Sequence, residues 1–310
     1  AEHLPLAWIE EALAVTGTAS IRRRRLPAEQ VVWLVIALAL YRHQSMPEVL
    51  ATLDLALPSS SVGTVSKSAV TQARQRLGAE PLAQLFGQTA PAWCAQDSAL
   101  HAWKGLSLWA MDGTTFRTPD SADNRASFGA QTYASGKVAS YPQVRAVSVT
   151  AIPTHLVSDI AFGEYGQNEM LYAKTLIERI VDHSLTVFDR GFLSAEILLG
   201  LTMAGEQRHY LIPAKANTKW EVLSGNEDDC LVRLRVSSQA RAKAPHLPEQ
   251  WTSRAVRVVS ANGKQRILLT SLLDRRRFKA EDLAACYRRR WEIETSYREL
   301  KQSMLGDRSE

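Results

Sequence analysis

Cysteine is scarce. Cys94, Cys230 and Cys286 stand far apart in a chain of 310 residues, with no CxxC spacing and no pair of histidines beside them. That spacing argues against a zinc cage and against a disulfide framework, and three lone thiols suit a reducing cytoplasm. Long apolar runs are missing as well. The richest, VVWLVIALAL at 31–40, ends at Tyr41-Arg42-His43. It falls well short of the ~20 residues a bilayer requires and reads as a buried helix. The start has no basic-then-apolar signal pattern, so nothing argues for export. Its first residue is Ala rather than Met, which reads as a trimmed or processed N-terminus. Internal repeats and low-complexity tracts are lacking. So is one-sided charge: 37 Lys and Arg against 32 Asp and Glu leave a net +5. A surplus that small is a weak pointer to nucleic acid, and its local clustering matters more than its total.

What is present is an ordinary globular composition, 45% apolar, with length for two or three units. Residues 1–95 read as helical. Apolar residues recur at helical spacing in LPLAWIEEALAV, LPAEQVVWLVIALALYR, MPEVLATLDLAL and SAVTQARQRLG, with Pro27 and Pro47 where first turns begin. The run Arg22-Arg23-Arg24-Arg25 precedes one such helix, and Gln72, Arg74, Gln75 and Arg76 crowd another. Arg and Gln reach base edges and phosphates readily. A solvated helix face and a DNA-contacting face both fit either segment.

Residues 96–214 change texture. LSLWAMDG (106–113), YPQVRAVSVTAI (141–152) and HLVSDIAFG (155–163) read as three strands. A helix over 168–183 follows with Asn168 as N-cap, then the strand SLTVFDRGF (184–192), a helix over 193–205 and the strand RHYLIPA (208–214). That order predicts an α/β fold with a ribonuclease-H-like core, a mixed sheet flanked by helices. Residues 215–265 read as a β-rich insertion. In 266–310 the strand RILLTSLL rejoins the core and a single long helix covers 280–304.

Three carboxylates stand out. Asp112 follows the apolar run LSLWAM and Asp189 follows SLTVF, so each ends a probable neighbouring strand. A carboxylate there needs a hydrogen bond, a cation or a metal. The third, Glu294, lies on the long helix. At about 100° per residue, Tyr287, Arg290, Glu294 and Lys301 fall within about 60° of the helix circumference. The apolar stripe Cys286, Ile293, Tyr297, Leu300 and Met304 runs beside them, while Arg288, Arg289, Glu292 and Glu299 face the other way. Asp112, Asp189 and Glu294 together form an oxygen-only ligand set for Mg²⁺ or Mn²⁺. Two such ions about 4 Å apart activate a nucleophile and stabilise the leaving oxygen of a phosphodiester. The cations beside Glu294 would meet backbone phosphates.

Tyr287-x2-Arg290-x3-Glu294-x6-Lys301 resembles the YREK signature of bacterial insertion-sequence DDE transposases of the IS-four group. MDGTTFRTPD and TVFDRGFLS resemble the segments around that family's two aspartates, and SAVTQARQRLG, RRRRLP and YPQVR also look like family segments. The resemblance implies an all-helical N-terminal DNA-binding region, with Arg74 on it, ahead of the core and its insertion. It implies Asp112, Asp189 and Glu294 as the catalytic, metal-binding triad with two Mg²⁺ or Mn²⁺ ions, and Tyr287, Arg290 and Lys301 as DNA contacts. Such enzymes nick at terminal inverted repeats and join the exposed 3′-hydroxyl to target DNA, within a homodimeric complex and commonly through a hairpin. Trp291, Trp220 and Trp251 are candidates to hold a flipped base. The expected setting is the bacterial cytoplasm, on the nucleoid, with no membrane. Family members continue well past the signature lysine, whereas this sequence stops at Glu310, so it is expected to be shortened at its C-terminus. Two other readings stand: a chain that only binds element ends as a regulator or inhibitor, and a hydrolase using Asp112 with Glu294 on sugar.

Overall fold

The computed structural model describes residues 3–19, 26–41, 43–53, 66–98, 100–259 and 263–304. The chain divides into two compact units, Ala1–Trp93 with Arg298–Glu310, and Cys94–Tyr297.

The first unit is built from α1 (Leu6–Val15), α2 (Ala28–Leu40), α3 (Met46–Thr52), α4 (Lys67–Leu77) and most of α5 (Glu80–Ser98). The apolar run of α2 is a buried helix, with Val31, Val32, Leu34 and Ala37 in the core beside Ile9, Leu13, Val49 and Val70. Full burial of a side chain such as Leu34 contributes about 1.5–3 kcal/mol. Ser45 and Glu48 form a reciprocal cap on α3, with Pro47 in its first turn. On α4, Ser66 caps Ala69 N at 3.2 Å, and Val70, Ala73 and Leu77 turn inward. That spacing leaves Gln72, Arg74, Gln75 and Arg76 exposed. The Arg22–Arg25 run lies outside the described residues.

The second unit is mixed α/β, organised on one nine-stranded sheet. Its strands are β1 (Ser107–Arg117), β2 (Gln143–Ala151), β3 (Val157–Glu164), β4 (Ser184–Phe188), β5 (Arg208–Pro213), β6 (Glu221–Gly225), β7 (Asp229–Arg235), β8 (Gln250–Val259) and β9 (Gln265–Thr270). Their spatial order is β3-β2-β1-β4-β5-β9-β8-β7-β6. The strands of the 215–265 segment extend the core sheet, because β9 pairs antiparallel with β5 on one side and β8 on the other. The helices are α6 (Ala122–Phe128), α7 (Glu169–Ile177), α8 (Ala195–Met203), α9 (Ser238–Lys243), α10 (Ala280–Arg288) and α11 (Trp291–Arg298). Asn168 caps α7 by accepting from Met170 N at 3.0 Å. The helix ends at Ile177 rather than 183, since residues 178–183 turn back into β4 with His183 at φ 52°.

Strand alternation sorts the core into two faces. Trp109, Met111 and Phe188 point to the side packed by Ala173, Leu176, Ile197 and Leu201 of α7 and α8. Leu108, Ala110, Leu185 and Val187 point to the opposite side, packed by Leu283, Cys286, Ile293 and Tyr297. Asp112 continues the 108/110 row and so belongs to the face that α10 and α11 cover.

The single helix expected over 280–304 is broken. The amides of Arg289, Arg290, Glu292 and Ile293 donate to the carbonyls three residues back at 2.9–3.0 Å. This is a 3₁₀ turn, in which each residue advances about 120° instead of 100°. It separates α10 from α11, and Glu299–Met304 is wound as a π-helix. Tyr287, Arg290, Glu294 and Lys301 therefore do not share one uninterrupted helical stripe.

A buried arginine ties the extension strands to α10. Arg254 on β8 is 1% exposed. It donates to both Asp229 carboxylate oxygens at 2.8 and 2.7 Å and to the Phe278 carbonyl at 2.6 Å. The bidentate geometry satisfies a charge that burial would otherwise penalise heavily.

Candidate active site

Asp112 and Asp189 are placed by one piece of register. β1 and β4 run parallel and side by side, with Met111 opposite Phe188, so the next residue of each is an aspartate. Asp189 lies just past the end of β4, and Asp112 lies not at a strand end as expected but within β1, which continues to Arg117 against β2. Asp112 Oδ1 accepts from Gly113 N at 2.8 Å. Asp189 Oδ2 accepts from Gly191 N at 3.0 Å and so caps the 3₁₀ turn Arg190–Phe192.

Glu294 arrives from α11, and Arg290 joins it to Asp112. One guanidinium nitrogen lies 3.0 Å from Asp112 Oδ2 and the other 2.7 Å from Glu294 Oε1. Arg290 lies in the 3₁₀ turn between α10 and α11, four residues before Glu294. Tyr297, one turn on, donates to the Asp112 carbonyl at 2.6 Å and lies 2.9 Å from Ser148 Oγ on β2.

Burial dominates the electrostatics. It raises the Asp112 carboxyl to about 6, against the lowering effects of Gly113 N and Arg290, with Asp189 and Glu294 adding repulsion. Burial also raises the Tyr287 phenol; Arg290 opposes this and Asp189 adds to it. For Arg290, burial works against its charge, but Tyr287, Asp112 and Glu294 hold its pKa above the ordinary value.

Two residues not singled out in the sequence, Glu169 and Arg145, lie behind Gly113, the residue after Asp112. A Cβ at Gly113 would stand 2.5 Å from the Glu169 carboxyl carbon, so any larger residue there must displace the end of the Glu169 side chain. Glu169 opens α7 and is held by Arg145 at 2.8 Å, whose Nε donates to the Tyr165 carbonyl at 2.7 Å. The glycine after Asp112 and the arginine of YPQVR were the available signals, but neither names its partner.

A cavity of about 540 Å³ opens beside Asp189, lined by Arg190, Lys215, Trp220, Arg266 and Tyr287 among others. A second of about 670 Å³ shares Lys215 and Trp220 with it and adds Lys219, Arg235 and Trp251. Trp220 and Trp251 are half-buried, and the Trp251 indole donates to Tyr210 Oη at 3.3 Å. Trp291, next to Arg290, is 62% exposed. Arg74 and Lys301 belong to the other compact unit. Glu292, expected to face solvent, has its side chain 45% exposed and also meets His155 at 3.2 Å.

Asp112, Asp189 and Glu294 offer oxygen donors without nitrogen or sulfur, the chemistry that hard divalent ions take. Among the described residues, no three His, Cys, Asp or Glu side chains are grouped for metal binding as they stand, and Arg290 occupies the space between Asp112 and Glu294. The donor chemistry fits such ions, and the place is held by another cation.

Residues 1–87 match the family described as Insertion element 4 transposase N-terminal, and residues 103–310 match Transposase DDE domain. The chain is 40% identical over 308 residues to the transposase InsG for insertion sequence element IS4 of Escherichia coli (strain K12), covering 99% of this chain and 69% of that protein. It is 36% identical over 224 residues to InsZ of the same organism, covering 72% of this chain and 73% of InsZ. The cryo-EM structure of the piggyBac transposase synaptic complex with hairpin DNA aligns with 94% of this chain at 11% identity and a TM-score of 0.38, and this chain spans 57% of that one. The chain belongs to the IS4 family of DDE transposases and is a DNA transposase. A chain that only binds element ends, or one that acts on sugar, gains no support from these matches. Among the described residues, no helix is long and apolar enough to cross a membrane.

Proposed function

We propose that Asp112, Asp189 and Glu294 are the catalytic carboxylates, holding two Mg²⁺ or Mn²⁺ ions, and that the chain cleaves DNA at terminal inverted repeats and transfers the freed 3′ end to target DNA. The observation that carries this reading is the β1–β4 register, which sets two aspartates side by side under the helix bearing Glu294. The order β1-α6-β2-β3-α7-β4-α8-β5, in which the short helix α6 interrupts the expected three strands in succession, supports a ribonuclease-H-like core. When bound, the ions supply a polarised phosphodiester and an activated water or 3′-hydroxyl.

The chain's own residues account for the rest. Asp112 keeps its proton only up to about pH 6, so near neutral pH it is ionised and able to ligate. Arg190, Lys215 and Arg266 give the cavity beside Asp189 the charge to hold backbone phosphates, Tyr287 in its lining and the neighbouring Arg290 add DNA contacts, and Trp220 and Trp291 present aromatic faces to an unstacked base. Arg74, exposed on α4, and Lys301 extend DNA contact beyond the carboxylate site, in a helical N-terminal DNA-binding region and a homodimeric end complex in the bacterial cytoplasm.

The test is cleavage of terminal-repeat duplex in Mg²⁺. Asp112→Ala, Asp189→Ala and Glu294→Gln should each lower the rate by more than about 100-fold, beyond the 10- to 100-fold loss typical of a supporting group. Cleavage at the parental rate in any of the three would remove that residue from the triad.

A further inference from the structure

Arg290 was expected from the sequence to meet DNA phosphate, yet in this structure it is spent on two acids. Its guanidinium bridges Asp112 and Glu294 at 3.0 and 2.7 Å, its side chain 14% exposed. Among the described residues it is the cation paired with either carboxylate. Both facts make sense together. We propose that Arg290 is the resident counter-cation of the metal-free site, leaving the carboxylates when divalent ions are bound and turning to a DNA phosphate in the cavity beside Asp189.

Two clustered carboxylates in a half-buried site repel each other and need positive charge close by. An arginine suits the task better than a lysine, because its planar fork presents separate N–H groups to two acids at once, where an ammonium is a single point charge. The same geometry makes it incompatible with a loaded site. A dication ligated by Asp112 and Glu294 would lie within a few ångströms of the guanidinium, where like charges repel strongly in a poorly solvated setting. The freed side chain has somewhere to go: Tyr287, in hydrogen-bonding reach of Arg290, lines the 540 Å³ cavity with Arg190, Lys215 and Arg266. Metal loading and phosphate binding thereby become coupled through one side chain.

This inference rests on the reading of Asp112 and Glu294 as metal ligands, so its test is made on the full chain without DNA. Mn²⁺ binding is measured by electron paramagnetic resonance of the free ion for the parent, Arg290→Gln and Arg290→Lys. Arg290→Gln should bind Mn²⁺ about tenfold more tightly, the factor gained when a site open in only about a tenth of molecules is opened in all of them. Arg290→Lys should fall between the two. In the parent, arginine-specific labelling with phenylglyoxal, read by mass spectrometry, should modify Arg290 faster once Mn²⁺ is added; this arm needs no variant to fold. Unchanged or weaker Mn²⁺ binding by Arg290→Gln, or labelling that Mn²⁺ does not speed, would overturn the proposal. Failure of the ligand reading looks different: Asp112→Asn and Glu294→Gln would then bind Mn²⁺ as the parent does. Loss of binding in those two, with Arg290→Gln equal to the parent, removes the counter-cation role alone.

Discussion

The hydroxyl of Tyr297 donates to the main-chain carbonyl of Asp112 at 2.6 Å. A helix residue is thus fastened to the backbone of the strand that presents the first aspartate, and burial holds its phenol protonated far above the ordinary range. Tyr297→Phe removes this donor without emptying the core. The variant should lose about 1–3 kcal/mol in denaturant unfolding, the cost of leaving a buried acceptor without its donor. Its cleavage rate should drop by about 10- to 100-fold, as for other groups that orient a ligand. Parental rate and stability would show the contact to be idle.

Gly113 makes a second prediction. With Glu169 2.5 Å from any Cβ placed there, Gly113→Ala must push the Asp112 backbone or the Glu169 side chain aside. The obstacle is the end of a partly exposed side chain paired with Arg145, so the cost is that of disturbing this pair, about 1 kcal/mol or less. Shortening the obstacle in Gly113→Ala/Glu169→Ala should recover part of the loss, and a double-mutant cycle on thermal midpoints measures the coupling. Additive effects would mean that the two positions do not meet.

The buried carboxyl of Asp112 sets a pH dependence for the metal-free protein. Its folded pKa, about 6, lies above the ordinary 3.8. The folded state therefore keeps the proton after the unfolded chain has released it. This contribution is fully present below about pH 4 and lost as pH rises through about 6. The shift corresponds to at most about 3 kcal/mol, less after solvent screening. Asp112→Asn should accordingly melt higher than the parent at pH 7 without metal, and close to it at pH 4. A lower midpoint at pH 7 would refute the burial account.

Arg254 tests the link between the extension strands and α10. Arg254→Ala leaves Asp229 and the Phe278 carbonyl without their main donor, and removing one partner of a buried pair costs about 3–5 kcal/mol. Arg254→Met with Asp229→Leu removes both charges and should be far milder. Equal unfolding midpoints for the two variants would contradict the role assigned to the pair.

Much of the scaffold was legible from the residues. The apolar run that stops at an acid gave the end of β4 at Asp189, and Asn168 marked the start of α7, but β1 continues past Asp112 to Arg117 because Gly113–Arg117 stay paired with β2. The interruption of the last helix was not legible. The period of apolar residues over 280–304 fits a continuous helix, and nothing in Tyr287-Arg288-Arg289-Arg290 breaks one. Cys286 before the 3₁₀ turn and Ile293 and Tyr297 after it pack on one sheet face, and a continuous helix would bring the same three to that face, so the apolar pattern carries no trace of the turn. Glu169 and Arg145 were hidden for a related reason: their importance lies in contact with Gly113 and Tyr165, and pairwise contact across the sheet leaves no periodic trace.

Because β9 sits between β5 and β8, residues 221–259 are woven into the same hydrogen-bonded fabric as the strands that carry the aspartates. The narrowest seam in that fabric is β5 against β9, three residue pairs from Leu211–Thr270 to Pro213–Leu268, so any force passed through the sheet between the extension strands and the two aspartates is carried by those few bonds.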